Sequence, residues 1–467
     1  MKPKTLLLLA LAVGALAAAV LLFEKDLPST DDRTARAKKI VSVESDELVE
    51  LEVEWQGERA RFARDAKSST PSSPDAPARK WRMLEPFATA ADSALVDALA
   101  GQLVALELSR ELEGVARADV GLEPPRGKLT WKTATAAGVL EIGGEVPASS
   151  TVVVAASTRQ APAVVNDAFV TQLERAPGDW RSREAVPAPR GEIERVTVLA
   201  PGAPPIVLVK SGETLRLEAP VSDVAEREAV DALLSELSGM RIETFLDAPL
   251  TDNARTALAS PAGTIELALA GRSEPFRIVI GGEPLPGKRT VQAGEQAFVG
   301  ATKIMDSVLR SASDWRSRHW TRFENWRGER VTVEDAAGRM VLERKDGQWQ
   351  RDGVEIGFSV ASDLLYALSS ARAESIREGD AEAAAQKPAL TLTLADGDGN
   401  EETLTLGTAE GTGTPARVSG RDLTLILAAP AAEEVRSKLG ALRAAAPVTP
   451  PAAPARPQGN ATPVQPG

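Results

Sequence analysis

Asp179-Trp180-Arg181-Ser182-Arg183 and Asp314-Trp315-Arg316-Ser317-Arg318 are the same five residues, 135 positions apart. Identity over a stretch holding a Trp and two Arg predicts an internal repeat, and a repeat has to be recognised before any single element is assigned. Working outward from the pentapeptide, further landmarks recur in the same order. Trp81-Arg82-Met83-Leu84-Glu85-Pro86 answers to Leu215-Arg216-Leu217-Glu218-Ala219-Pro220, and Val96-Asp97-Ala98-Leu99 to Val230-Asp231-Ala232-Leu233. Leu122, Pro125 and Gly127 answer to Leu258, Pro261 and Gly263, and Ile142-Gly143-Gly144-Glu145 to Ile280-Gly281-Gly282-Glu283. The offset drifts only between 134 and 138 residues. A shorter, worn third copy follows: Trp349-Gln350-Arg351, a helix opening at Ser362-Asp363-Leu364-Leu365, a strand after Pro388, and Leu404-Thr405-Leu406-Gly407 for the Ile-Gly-Gly motif. Gly440-Ala441-Leu442-Arg443 stands where the pentapeptide was, with Leu442 in the Trp slot.

Each copy reads as α+β. Alternation in Leu51-Glu52-Val53-Glu54-Trp55 predicts a half-buried antiparallel strand, and the unbroken Ile206-Val207-Leu208-Val209 a more fully buried one. Val230, Leu233, Leu234, Leu237 and Met240 keep helical spacing, behind a capping-box-like start of Asp223 with Glu226; Thr89 with Asp92 holds that place in the first copy. A second helix, about 301–310, leads into the pentapeptide. Leu390 to Leu406 predicts a hairpin turning at Asp396-Gly397-Asp398-Gly399-Asn400. Leu425 to Ala432 is apolar but carries Pro430, so it predicts a buried strand running into a turn.

The 467 residues are too many for one core and suit about three. A net charge of −12 argues against a nucleic-acid partner, whose phosphates demand a basic face. With no Cys and a single His, disulfides, thiolate chemistry and multi-histidine metal sites are excluded, and neither a metal nor a cofactor is expected.

Lys2 and Lys4 precede 18 apolar or small residues from Leu6 to Phe23, followed by Glu24, Lys25 and Asp26. A helix of that length spans roughly 27 Å, enough to cross a hydrocarbon core. The leading lysines are expected to keep the N-terminus in the cytoplasm and send the body across the membrane, so that it is extracytoplasmic. Ala15-Leu16-Ala17 and Ala17-Ala18-Ala19 also fit a signal-peptide site, but the apolar run continues beyond them to Phe23, which favours a retained anchor. The expected fold is thus an N-terminal transmembrane helix followed by tandem repeated modules of antiparallel sheet plus amphipathic helices. The expected segments are an anchor over 1–25, modules over 38–187 (with a disordered insert about 65–79), 188–321 and 322–443, and a disordered Pro-rich tail over 444–467.

Candidate sites are few. Trp180, Arg181 and Arg183 with Trp315, Arg316 and Arg318 could clamp an anionic or sugar ligand. Their recurrence at each module's end favours joinery instead, with the Trp plugging the junction and the arginines pairing with carboxylates. Ile142-Gly143-Gly144-Glu145 lacks the Lys and Ser/Thr of a phosphate loop and reads as a Gly-permitted turn or bulge. Asp396 to Asn400 starts like a calcium loop but has Glu401 and Gly407 where Gly and Glu are needed. His319, the one imidazole, sits among Trp315, Trp320, Phe323 and Trp326 with no nucleophile elbow in the chain, which reads as an aromatic seam between modules.

The order of anchor, Trp-x-x-x-x-Pro (Trp81 to Pro86), capped helix, Gly121-Leu122-Glu123-Pro124-Pro125, a strand ending in Ile-Gly and an Arg-rich close resembles the bacterial family of domain of unknown function 4340 (DUF4340). The resemblance covers roughly residues 38 to 443, with Leu215 replacing the Trp in the second copy and several landmarks fading in the third. It implies association with ABC-type transport components resembling those of gliding-motility systems, and it transfers no catalytic residue. The expected function is a non-enzymatic, membrane-anchored extracytoplasmic scaffold or accessory protein of an ABC-type transport or envelope system. Its rivals are an envelope glycan-binding repeat protein and, with least support, a hydrolase, since no acidic pair stands out.

Overall fold

A computed structural model of the chain describes residues 38–64, 80–212, 214–301, 303–323, 326–378 and 388–448. The expected anchor (1–25), the expected insert (about 65–79) and the tail beyond residue 448 lie outside these. Among the described residues, no helix is long and apolar enough to cross a membrane. The chain forms two compact units, one ending at Arg183 and one beginning at Glu184.

Three antiparallel sheets carry the fold, one in the first unit and two in the second. The first has spatial order 89–90, 82–85, 58–63, 50–55, 127–132, 137–145, 151–156, 163–166 and 110–111. The other two repeat that plan. A meander runs outward from the centre, and the chain then crosses through a helix. A short strand after the helix forms the far edge, and a four-strand meander fills the gap from the centre to that edge. The far-edge pairings correspond in all three: 110–111 with 163–166, 244–246 with 296–301, and 373–378 with 423–428. The first and third sheets have nine strands and the second eight, lacking the outermost short strand, but the shared order and equivalent crossovers make this one α+β module built three times.

Alternation produces these sheets because successive side chains point to opposite faces. Leu51, Val53 and Trp55 are buried along Glu50–Trp55, while Glu50, Glu52 and Glu54 face out. The same holds for Ile206 and Leu208, but Val207 and Val209 stay half-exposed, so the expectation of a more fully buried strand there is corrected: only one face is covered. A 13-residue helix lies against each core: Ser93–Ala105, Arg227–Gly239 and Phe358–Ser370. The second buries Val230, Leu233, Leu234 and Leu237 in one stripe, and Met240 follows at its C-cap.

Asp92 caps the first helix, its carboxylate accepting from the backbone N–H of Ala94 and Leu95. In the second helix the N-cap is Glu226, whose side chain makes no capping bond, and Asp223 lies too far upstream to make one. The expected capping box there is absent because both carboxylates are taken by other partners. The hairpin Leu390–Asp396 to Glu401–Leu406 forms as expected, with Asp396 accepting from the N–H groups of Asp398 and Asn400. Pro430 opens a 16-residue helix, Ala429–Ala444, rather than a turn, since proline's fixed φ suits a first helical turn.

The Gly motifs have a packing reason. Gly121 adopts φ +70°, and a Cβ there would meet the Gly144 nitrogen at 2.9 Å. A Cβ on Gly143 would meet the Val120 carbonyl oxygen at 2.5 Å. The Gly-Leu-x-x-Pro loop therefore lies directly on the Gly-Gly step, where the strand register shifts between Ile142 and Glu145. A Cβ on the equivalent Gly281 would meet the Ala257 carbonyl oxygen at 2.6 Å.

Candidate functional site

The pentapeptide ends a short helical stretch in both copies. Pro177–Trp180 and Ala312–Trp315 are 3-10 turns, and each Trp side chain is fully buried at their close. Trp180 packs 5.3 Å from Phe62, and Arg310 lies 5.5 Å over the Trp315 ring. From there the backbone docks beside the helix start. Ala91 pairs with Arg181, and Ala225 with Arg316. The N-caps Asp92 and Glu226 each donate their N–H, at 2.8 Å, to the carbonyls of Trp180 and Trp315. The repeat thus closes each module on its own helix N-terminus. In the third copy the corresponding pairing joins Ile356 to Pro447, with the Val448 N–H bonded to the Glu355 carbonyl at 3.0 Å. Leu442 is fully buried but belongs to the preceding helix, so the expected Trp slot lies four residues early.

The arginines diverge between copies. Arg181 is buried with its guanidinium 4.3 Å over Phe87, and Arg183 is exposed. Arg318 pairs with Asp314 at 2.7 Å. Arg316 is buried against Asp223, Nε to Oδ2 at 2.7 Å, and also reaches Glu378. The same Asp223 accepts a fork from Arg421, Nε at 2.7 Å and Nη2 at 2.9 Å, and that Nη2 also donates to the Ser317 carbonyl at 2.8 Å. One carboxylate from the second module therefore binds two arginines, and Arg421 comes from the third, between its strands Gly413–Val418 and Leu423–Ala428. Burial pushes the Asp223 pKa up, but the hydrogen bonds from Arg421 and Arg316 outweigh it and hold the carboxyl below its ordinary value.

Beside this ion cluster lies a second one. Glu226 is buried, and its Oε2 accepts the Arg318 backbone N–H at 3.0 Å and the Arg372 guanidinium at 3.1 Å. Arg372 also reaches Glu228 at 3.4 Å. His319 turns Nε2 toward both acids, 3.8 Å from Glu226 and 3.9 Å from Glu228, while Nδ1 lies 3.3 Å from the Ser369 carbonyl. Burial, then the neighbouring Glu228, raises the Glu226 pKa. Glu228 is lowered to about 2, first by the Glu226 carboxyl beside it and then, against its own desolvation, by Arg372. Two carboxyls this close drive each other's proton affinities apart.

Of the six residues singled out by sequence, the structure brings Arg316 into a charged joint and leaves Arg183 at the surface. The aromatic seam around His319 is partial: Trp315 and Trp320 are fully buried, whereas Trp326 is 68% exposed. Asp223, Glu226, Arg372, Glu378 and Arg421 escaped the sequence reading as members of one site. Arg421 and Asp223 are 198 positions apart, and no local pattern links them. The one available signal was substitution between copies, since Asp223 stands where the first copy has Thr89.

No curated protein and no solved structure matches the chain. A family match does cover residues 81–263 and 224–388, two overlapping segments that restate the repeat. The chain belongs to the family described as Domain of unknown function (DUF4340).

Proposed function

We propose that this protein is a non-enzymatic scaffold or accessory subunit of an ABC-type transport or envelope system. It is held at the inner membrane by Leu6–Phe23 with its body in the periplasm. One observation carries the reading: its most conspicuous repeated residues are spent on construction. Trp180 and Trp315 are buried at module ends, and Arg316 is consumed by Asp223 and Glu378. A chain that repeats its joinery builds length and surface, which suits partner binding. The ABC-type partnership rests on the family resemblance, and the address on the leading lysines and the apolar run.

The test is crosslinking and affinity purification from native membranes, comparing the full chain with a form whose first 23 residues are replaced by a cleavable signal. Transporter components recovered only with the anchored form support the reading. Recovery of the same envelope polymer with both forms, and of no transporter, would replace it with glycan recognition by the modules. Trp180→Ala and Trp315→Ala then separate the roles. Loss of stability by about 3–5 kcal/mol marks joinery, whereas lost ligand binding at unchanged stability marks a site.

A further inference from the structure

We propose that Glu226, Glu228 and His319 form a site for one divalent transition-metal ion, zinc(II) by its ligand chemistry, which pins the start of helix Arg227–Gly239 to the segment leading into the third module. Three features of the second ion cluster carry this. One oxygen or nitrogen from each of the three residues lies within 4.8 Å of the others. The imidazole Nε2 is 3.8 Å from Glu226 Oε1 and 3.9 Å from Glu228 Oε1. Metal bonds of about 2.0–2.2 Å in a tetrahedron put ligands roughly 3.4 Å apart, so the two imidazole–carboxylate distances need to shorten by about half an ångström.

The second feature is Glu226 Oε1 itself. It is buried, on a side chain 8% exposed, and accepts no hydrogen bond among the described residues. Its twin Oε2 is fully engaged by the Arg318 N–H and Arg372, which fix the carboxylate so that the unpartnered oxygen faces His319. A buried carboxylate oxygen without a donor is costly to keep, and a cation supplies what it lacks.

The third feature is the imidazole's orientation. With Nδ1 placed against the Ser369 carbonyl, the proton belongs on Nδ1, and the Nε2 lone pair points at the two acids. That is how a ligating histidine is ordinarily held, and Arg372 behind the carboxylates serves them in the same way. An imidazole among the ligands selects zinc or a neighbouring transition metal over calcium or magnesium, which prefer oxygen alone. Glu228, 62% exposed, and His319, 30% exposed, leave an open side for water as the fourth ligand.

Zinc chloride titrated calorimetrically into the chelator-stripped full-length chain in detergent, without a polyhistidine tag, tests this. One equivalent should bind, and His319→Ala and Glu228→Gln should each weaken it by at least ~10-fold. Both variants should melt like the metal-free wild type. Should His319→Ala fail to fold, Glu228→Gln at its exposed position carries the same comparison. Cobalt(II) in place of zinc should give the intense visible bands of four-coordination in the wild type and lose them in the variants. Absence of saturable uptake, or uptake equal in all three proteins, overturns the proposal and leaves the three side chains as a structural contact only.

Discussion

Replacing Asp223 by Asn keeps the side chain's size but removes the one negative charge between two buried guanidinium groups. Asp223 and Arg421 are each 3% exposed at the side chain, and Arg316 is 7% exposed. Water cannot take over the lost interactions. Three charge-assisted bonds end on Asp223, at 2.7, 2.7 and 2.9 Å. Glu378 remains for Arg316, but it is 65% exposed and offers little compensation. Removing one member of a buried ion cluster costs about 3–5 kcal/mol, most of it the desolvation of the charges left behind. For a unit of this size that lowers the melting temperature by roughly 6–20 °C. Chemical and thermal unfolding followed by Trp fluorescence reads the change in the second unit, where Trp315 and Trp320 lie buried. Asp231→Asn is the matched control. Its pairing with Arg190 is about half exposed on both sides and should be worth ~0–1 kcal/mol. If Asp223→Asn costs no more than that control, the joint is not an obligate ion cluster and the reasoning fails. Replacing Asp223, Arg316 and Arg421 together by Leu and two Met should restore stability, because the apolar trio has no charge to desolvate.

The Asp223 cluster also sets a pH response. Its carboxyl is held below the ordinary value of 3.8, so its stabilisation is complete above the unfolded pKa and is lost as pH falls through the folded one. The stability gap between wild type and Asp223→Asn should be flat near neutrality and shrink below about pH 4, as read by urea titrations at stepped pH. Asp92→Ala removes a cap that accepts from Ala94 and Leu95 and should cost about 1 kcal/mol in the first unit. Glu226, which makes no capping bond, should show no cap-specific loss when Arg227–Gly239 is followed by hydrogen exchange. Gly143→Ala drives a methyl to within 2.5 Å of the Val120 carbonyl and should destabilise by about 1–3 kcal/mol. Gly101→Ala, inside helix Ser93–Ala105 with open space at Cβ, should instead stabilise by about 0.5–1 kcal/mol, measured by the same denaturant midpoint.

The repeat, the α+β class and most helices and strands were legible in the chain because they are periodic and local. Alternation places Leu51, Val53 and Trp55 on one face, and 3.6-residue spacing places Val230, Leu233 and Leu237 on another. The misreadings share a cause. Val207 and Val209 read as interior because a run of apolar residues cannot reveal whether a sheet is covered on one face or two. Asp223 read as a cap because its local spacing to Glu226 fits one, while its true partners lie 93 and 198 residues away.

Sequence by itself therefore determined the module, its three copies and the turn chemistry that folds each, since these depend on neighbours within a few residues. Only the tertiary structure decided what the repeated arginines touch. It set Arg181 over Phe87, and it set Arg316 and Arg421 on one carboxylate. It also turned His319 toward two acids beside the buried, undonated oxygen of Glu226. Ion clusters form among groups from distant segments, and their strength depends on burial, which no local pattern records.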